Sequence, residues 1–452
     1  MRLAILGGGG FRVPIVYRAL LEDRAPGRVK HVTLYDLDPT RLAVISQVLR
    51  DQAAGVPDAP EVCVTTDLDE AVAGADFIFF AIRVRGLEGR AIDERVALAE
   101  GVLGQETVGA GGISYGLRTL PVATRIARRI ALTAPHAWVI NFTNPAGLVT
   151  EAMARHLGDH VIGICDSPAG LARRVAHALG VDPHRAEFDY AGLNHLGWLR
   201  GVRVGGRDLL PGLLADGAAL SGIEEGRLFG AEWLRVLGAV PNEYLHYYYF
   251  NREAVAAARA AHQTRGAFLL DQQSRFYDAA TTGEVPARPG AALGAWDATR
   301  LERESTYMAE NREAVGAGER SSADLSSGGY EQIALALMRA IALDQRSTLI
   351  LNVRNRRTLD VLDYDAVVEV PCTVDAKGAL PQPVDPLPDH ASGLVCSVKA
   401  VERAVIEAAT TGSRAAALRA LAIHPLVDSV AVARRLLDGY QREIPELAYL
   451  RP

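Results

Sequence analysis

The first twelve residues constrain this chain more than any other stretch. "RLAILGGGG" runs a short apolar strand straight into four glycines, Gly7, Gly8, Gly9 and Gly10, and "PIVYRALLED" follows with helical spacing. Pro14 suits a first helical turn. Four glycines in a row weaken a turn unless something needs the space. In a strand–turn–helix unit that something is a phosphate, which requires close backbone approach and sits at the helix N-terminus. Arg12 stands where the third glycine of GxGxxG belongs, so the motif alone is incomplete. Context strengthens it. A second strand, "HVTLYDLD", ends in Asp36, near the offset of roughly 20 residues at which an acid meets a ribose hydroxyl. An acid there favours NAD over NADP, because it repels a 2′-phosphate. Gly7 to Gly10, Phe11, Arg12 and Asp36 are the expected cofactor-binding residues.

The pattern continues beyond this unit. "RLAVISQVLRDQA" is helical, and "ADFIFFAIRV", "HAWVINFTNP" and "HVIGICDSP" read as buried strands. Short apolar strands alternating with helices specify an α/β fold with a parallel, doubly wound sheet of Rossmann type. After residue 170 the alternation loosens. "LLPGLLADGAALSGIEEGRLFGAEWLRVLG", "NREAVAAARAAHQTRGAFLLDQQSRFYDAA" and "YEQIALALMRAIALDQ" are helical, "STLILNVRN" and "AVVEVPCTV" are strand-like, and the last 50 or so residues are helical. "EVPARPGAALGAWDATR" reads as a mobile Pro/Gly/Ala-rich connection. The expected domains are therefore 1–170, binding NAD, and 171–452, a mixed, mainly helical C-terminal domain for substrate, metal and oligomerisation.

Charge and composition exclude several classes. The net charge of −6 over 452 residues argues against nucleic-acid or membrane-surface partners. No apolar run reaches the roughly 18 residues of a membrane span. The apolar run at the start is too short for a signal peptide. Cys63, Cys165, Cys372 and Cys396 are scattered, with neither a disulfide framework nor a CxxC zinc pattern. A cytoplasmic protein with reduced thiols is expected.

Three further features carry chemistry. Cys165 and Asp166 follow the strand "HVIGI", at the carboxyl end of the sheet where ligands bind. His195 lies in "GLNHLGW". Thiolate and imidazole suit a divalent transition metal, and two protein donors leave positions open for substrate oxygens. A small buried hydrophobe and a structural histidine explain the same residues. "PNEYLHYYYF" holds Tyr244, Tyr247, Tyr248 and Tyr249. These are aromatic packing or, with a metal lowering one pKa, a phenol serving as base.

Taken together, the motifs are more specific. "LGGGGFRVP", "RVRGLEGRAIDE", "GVLGQETVGAGGISYGLR", "VINFTNPAGLVTE", "GICDSP", "GLNHLGW", "YLHYYY" and "LNVRNRRTLDVLDYDAVVEVPC" span nearly the whole chain. In these blocks the chain resembles the family 4 glycoside hydrolases, and among them the 6-phospho-β-glucosidases. The resemblance implies a Rossmann fold of lactate/malate dehydrogenase type turned to glycoside cleavage with NAD. It implies oxidation at C3 of the sugar by NAD⁺, removal of the acidified C2 proton by a tyrosine, elimination of the aglycone, addition of water and return of the hydride. It also implies a divalent metal, usually manganese, holding the sugar O2 and O3. By matching motifs, Cys165 and His195 are the metal ligands and Tyr244 is the C2 base. Asn144 contacts the sugar near the metal, and Glu106 lies close by. Arg83 and Arg265 are the candidates for the 6-phosphate, which needs fixed cationic donors. The implied partner is a phosphorylated disaccharide or glucoside, and the implied assembly a homodimer or homotetramer.

One position departs from the β-specific pattern. Asp166 follows the metal cysteine where β-specific members carry Asn. In α-specific members an Asp there is the general acid, so Asp166 is either a catalytic acid or a cap for the helix "SPAGLARR". The β reading is preferred. An α-glucosidase or galactosidase-like relative is the alternative within the family. A 2-hydroxy-acid dehydrogenase and a catalytically dead NAD sensor are the alternatives outside it.

Overall fold

The computed structural model describes residues 1–286, 288–306 and 329–451. Ala287, inside the expected Pro/Gly/Ala-rich connection, lies outside them. Six parallel strands form the first half of the sheet: β1 (Arg2–Leu6), β2 (His31–Tyr35), β3 (Glu61–Thr65), β4 (Phe77–Phe80), β5 (Trp138–Asn141) and β6 (Val161–Gly163). Their spatial order is β3-β2-β1-β4-β5-β6, and every neighbouring pair is parallel. This is the order of a dinucleotide fold, with its crevice where β1 and β4 diverge. The expected fold class is borne out.

Both faces of these strands are covered, which is why they read as unbroken apolar runs. Along β1, Leu3 and Ile5 enter one core while Ala4 and Leu6 enter the other. Phe77 and Phe79 of β4 alternate with Ile78 and Phe80 in the same way.

The second half of the chain extends the same sheet. It adds β7 (Glu187–Leu193), β8 (Leu196–Val204), β9 (Arg207–Asp208), β10 (Val240–Pro241), β11 (Ser347–Arg354), β12 (Val367–Asp375) and β13 (Gly378–Pro381). Beyond β6 the order runs β11, β12, β7, β8, β10, and all of these pairings are antiparallel. The helices Asp389–Thr411, Arg414–Ala422 and Val430–Glu443 place apolar residues in the core beneath Ala4 and Leu6. Among the described residues no helix is long and apolar enough to cross a membrane.

One expected connection is instead a helix. Residues Ala291–Ser305 are α-helical, although Gly and Ala led that stretch to be read as a loop. Trp296 supplies the reason. It is fully buried, donates from Nε1 to the carbonyl of Phe11 at 2.8 Å, and packs against the Phe11 ring. Tertiary burial of one large aromatic overrides a weak local preference.

Candidate active site

A cleft of about 1040 Å³ opens where β1, β4, β5 and β6 end. Every site residue expected from the sequence lines it, except Gly8. Gly8 packs on Leu34, and its N–H donates to the carbonyl of Tyr35 at 2.7 Å.

The glycine loop forms one arm of the cleft. Gly7 adopts φ +92°, and a Cβ there would lie 2.4 Å from the carbonyl oxygen of Ala81. The loop therefore needs glycine for both conformation and space. Asp36 Oδ2 accepts from the Gly9 N–H at 3.0 Å, which fixes its carboxylate at the rim. The second half of the chain braces the loop from outside. Tyr277 donates to the Gly9 carbonyl at 2.7 Å and Tyr330 to that of Arg12 at 3.2 Å. No local sequence signal reveals these braces, because their partners lie hundreds of residues away.

The thiol and imidazole meet in the middle of the cleft. Leu193 pairs with Leu196, closing a two-residue hairpin turn of Asn194 and His195. His195 holds φ +61° there, a conformation uncommon for a residue with a side chain. Its Nδ1 bonds Thr107 Oγ1 at 2.8 Å, and its Nε2 faces Cys165 Sγ at 3.4 Å. Thr107 sits one residue beyond Glu106 in the "GQET" block, and sequence reasoning passed over it. The Tyr244 ring stacks on His195 with centroids 3.7 Å apart and planes 8° apart. Asn242 caps the short helix Glu243–Leu245 that presents this tyrosine.

Burial makes both donors neutral. It pushes the Cys165 thiol well up, helped by Glu369 and Asp166, and draws His195 down to about 4 against the pull of Asp166 and Glu106. A divalent cation reverses this balance, since a coordinating thiol loses its proton outright. With Nδ1 engaged by Thr107, Nε2 is the nitrogen left for a metal. Among the described residues no third His, Cys, Asp or Glu completes a metal cluster. The pair thus fits a metal that takes its remaining ligands from a substrate. Asp166 stands at the N-cap of helix Ser167–Ala178 but makes no side-chain capping bond, so the capping role considered for it is absent.

The cationic residues divide into two groups. Glu106 takes both Arg83 and Arg90, the latter at 2.5 Å. Burial alone would raise its carboxyl, but these two guanidiniums outweigh burial and hold it well below the usual range. Arg83 is therefore already paired. Arg265 donates to the Thr306 hydroxyl and to the Arg303 carbonyl, both at 2.6 Å. Arg12 and Arg303 differ from them. Arg12 lies beside the stacked rings of Phe142 and Tyr330, 5.2 and 4.7 Å from their centroids, and its buried Nε has no hydrogen-bond partner among the described residues. Burial, Arg12 and Arg265 together push Arg303 down to about 9. Among the described residues neither Arg12 nor Arg303 forms an ion pair. Arg303 went unnoticed in the sequence because it sits just beyond the stretch read as a connection.

A dinucleotide-type crevice that joins a thiol–imidazole pair to arginines without ion-pair partners among the described residues suits an anionic ligand. Comparison with known proteins specifies the class. The family model described as "Family 4 glycosyl hydrolase" matches residues 2–181, and that described as "Family 4 glycosyl hydrolase C-terminal domain" matches residues 190–427. The chain belongs to the family 4 glycosyl hydrolases. It is 32% identical to the "Probable 6-phospho-beta-glucosidase" of Bacillus subtilis (strain 168), over 97% of this chain and 95% of that protein. It is 30% identical to the "6-phospho-alpha-glucosidase" of Leptotrichia buccalis, over 96% of each. The 6-phospho-beta glucosidase of Thermotoga maritima, solved with manganese, NAD+ and glucose-6-phosphate, superposes with a TM-score of 0.81 at 25% identity over 100% of both chains.

Proposed function

We propose that the chain hydrolyses 6-phosphorylated glucosides, preferring the β-anomer, with NAD⁺ along the glycine loop and a divalent metal, manganese first, on Cys165 and His195. One observation carries this reading. The same cleft holds a thiol–imidazole pair neutralised by burial and two arginines without ion-pair partners among the described residues. A phosphorylated sugar offers hydroxyl oxygens to the first and a dianion to the second. When bound, the nicotinamide supplies reversible hydride storage and the metal supplies positive charge beside the sugar oxygens.

The chain's own groups do the rest. Arg12 and Arg303 hold the phosphate, and Arg265 sets Arg303 through its backbone carbonyl. Tyr244 removes the C2 proton, its ring aligned by the stack on His195. Glu106, kept ionised by Arg83 and Arg90, fixes the charge around that tyrosine. Asn144 contacts the sugar at the end of β5. Asp36 binds the adenosine ribose.

A second reading has its own support. Asp166 lines the cleft without serving as a helix cap, so it is available to protonate the leaving oxygen of an α-glucoside. The test is cleavage of p-nitrophenyl 6-phospho-β-glucoside and its α-anomer, omitting NAD⁺, Mn²⁺ and reductant in turn, with C2-deuterated substrate in parallel. The expected result is β-cleavage that needs both cofactors and slows with C2 deuterium. Cleavage of the α-anomer alone makes Asp166 the acid. No cleavage of either, with NADH accumulating on another substrate, overturns the hydrolase reading.

A further inference from the structure

Behind the Cys165–His195 pair lies a buried carboxylate to which the reading above gives no task. Glu369 on β12 is 1% exposed. Its Oε1 accepts from Nδ2 of Asn194 at 3.1 Å and from Nδ2 of Asn352 at 2.9 Å, and its Oε2 accepts from the Tyr190 hydroxyl at 3.0 Å. Each donor belongs to a segment that delivers part of the site. Tyr190 and Asn194 lie on the hairpin that ends in His195. Asn352 stands opposite Gly163 in the β11–β6 register, two residues before Cys165. A Cβ on Gly163 would lie 2.8 Å from the Asn352 Cβ, so glycine permits that close approach. Asn194 carries the link further, since its Oδ1 accepts from the Ala146 N–H at 3.2 Å. That bond holds the backbone just past Asn144.

One side chain therefore joins the thiol strand, the imidazole turn and the Asn144 loop. It also has the geometry to hold the turn that keeps His195 at φ +61°, because strained backbone persists only where its surroundings fix it. We propose that Glu369 is a positioning residue for the metal pair, acting through Tyr190, Asn194 and Asn352 and touching neither substrate nor metal. The inference rests on the reading of Cys165 and His195 as metal ligands.

The test uses the full chain carrying Glu369→Gln. An amide in this position keeps the shape but removes the charge, and its NH2 faces either the asparagine N–H groups or the Tyr190 hydroxyl, which can accept it only by giving up its own donation. Mn²⁺ binding is followed from the resonance signal of free Mn²⁺ in the presence of glucose 6-phosphate, and NAD⁺ binding from tryptophan fluorescence. The expected result is Mn²⁺ affinity weakened by about 10- to 100-fold, the range for lost outer-shell support. NAD⁺ affinity stays unchanged, and the lost rate is recovered at saturating Mn²⁺. Equal weakening of both ligands indicates general loosening and overturns the proposal, as does unchanged Mn²⁺ affinity. If Glu369→Gln fails to fold, Tyr190→Phe removes one donor and leaves the carboxylate in place. Weaker Mn²⁺ binding with normal NAD⁺ binding then supports the proposal, and unchanged Mn²⁺ binding overturns it. A wild-type chain that binds NAD⁺ but not Mn²⁺ removes the metal reading itself, an outcome distinct from a variant that matches a Mn²⁺-binding wild type.

Discussion

Replacing Arg12 with methionine separates recognition from stability. Arg12 has no ion-pair partner among the described residues, so Arg12→Met strands no carboxylate. The fold loses two cation–π contacts, to Phe142 and Tyr330, worth about 0.5–1 kcal/mol each. It sheds the cost of burying a guanidinium and the repulsion that helps depress Arg303, but loses the attraction of Asp166 and Glu106, which keeps Arg12 charged despite its burial. Methionine keeps an apolar stem against the two rings. These terms oppose one another, so the melting temperature of the ligand-free protein is expected to change little. Substrate recognition moves the other way. A hydrogen bond to a charged group contributes about 1.5–3 kcal/mol, which is roughly 10- to 150-fold in kcat/KM. The assay compares kcat/KM for a 6-phosphorylated glucoside and its unphosphorylated counterpart, alongside a thermal melt. The ratio between the two substrates should fall by that factor in Arg12→Met. An unchanged ratio refutes the assignment of Arg12 to the phosphate. A large drop in melting temperature refutes the claim that the opposing contributions of Arg12 to the fold nearly cancel.

Two further outcomes are expected. Gly7→Ala forces a side chain into φ +92° and against the Ala81 carbonyl. The conformational cost is about 1–2 kcal/mol and overpacking adds about 1–3 kcal/mol, so the urea midpoint should fall clearly; no shift would contradict the geometry of the loop. His424 is held to about 3 by burial, and its Nδ1 accepts from the Leu426 N–H at 3.0 Å. A depressed histidine contributes stability that is present above its unfolded value, about 6.5, and is lost as pH falls toward the folded value. The stability advantage of wild type over His424→Gln should therefore shrink by about 1.4 kcal/mol per pH unit below 6.5, measured by urea unfolding between pH 7.5 and 4.5. A difference independent of pH refutes it.

Much of the fold was legible because its signals are local. The six parallel strands are short apolar runs between helices, and the glycine loop announces a backbone that tolerates no Cβ. Cys165 and Asp166 were placed at a strand end by the same logic. The helix Ala291–Ser305 was missed because Trp296, buried against Phe11, is a long-range reason to be helical. The seven strands of the second half were only partly visible, since β7 and β8 mix apolar, aromatic and charged residues without a plain alternation. Thr107 lay inside a block already singled out, yet a threonine shows its role only when an imidazole is found beside it.

The sequence by itself determined the class of fold and the glycine-rich nucleotide arm, because periodicity and glycine sterics are properties of neighbouring residues. Only the tertiary structure decided which arginines are spent and which remain for a ligand. Arg83 and Arg12 look alike in the sequence, yet Glu106 neutralises the first and aromatic rings lie beside the second. Charge compensation is a sum over everything within a few ångströms in space, and chain order does not contain that sum. The same holds for Glu369, whose three donors lie on three segments that meet only when the sheet closes around them.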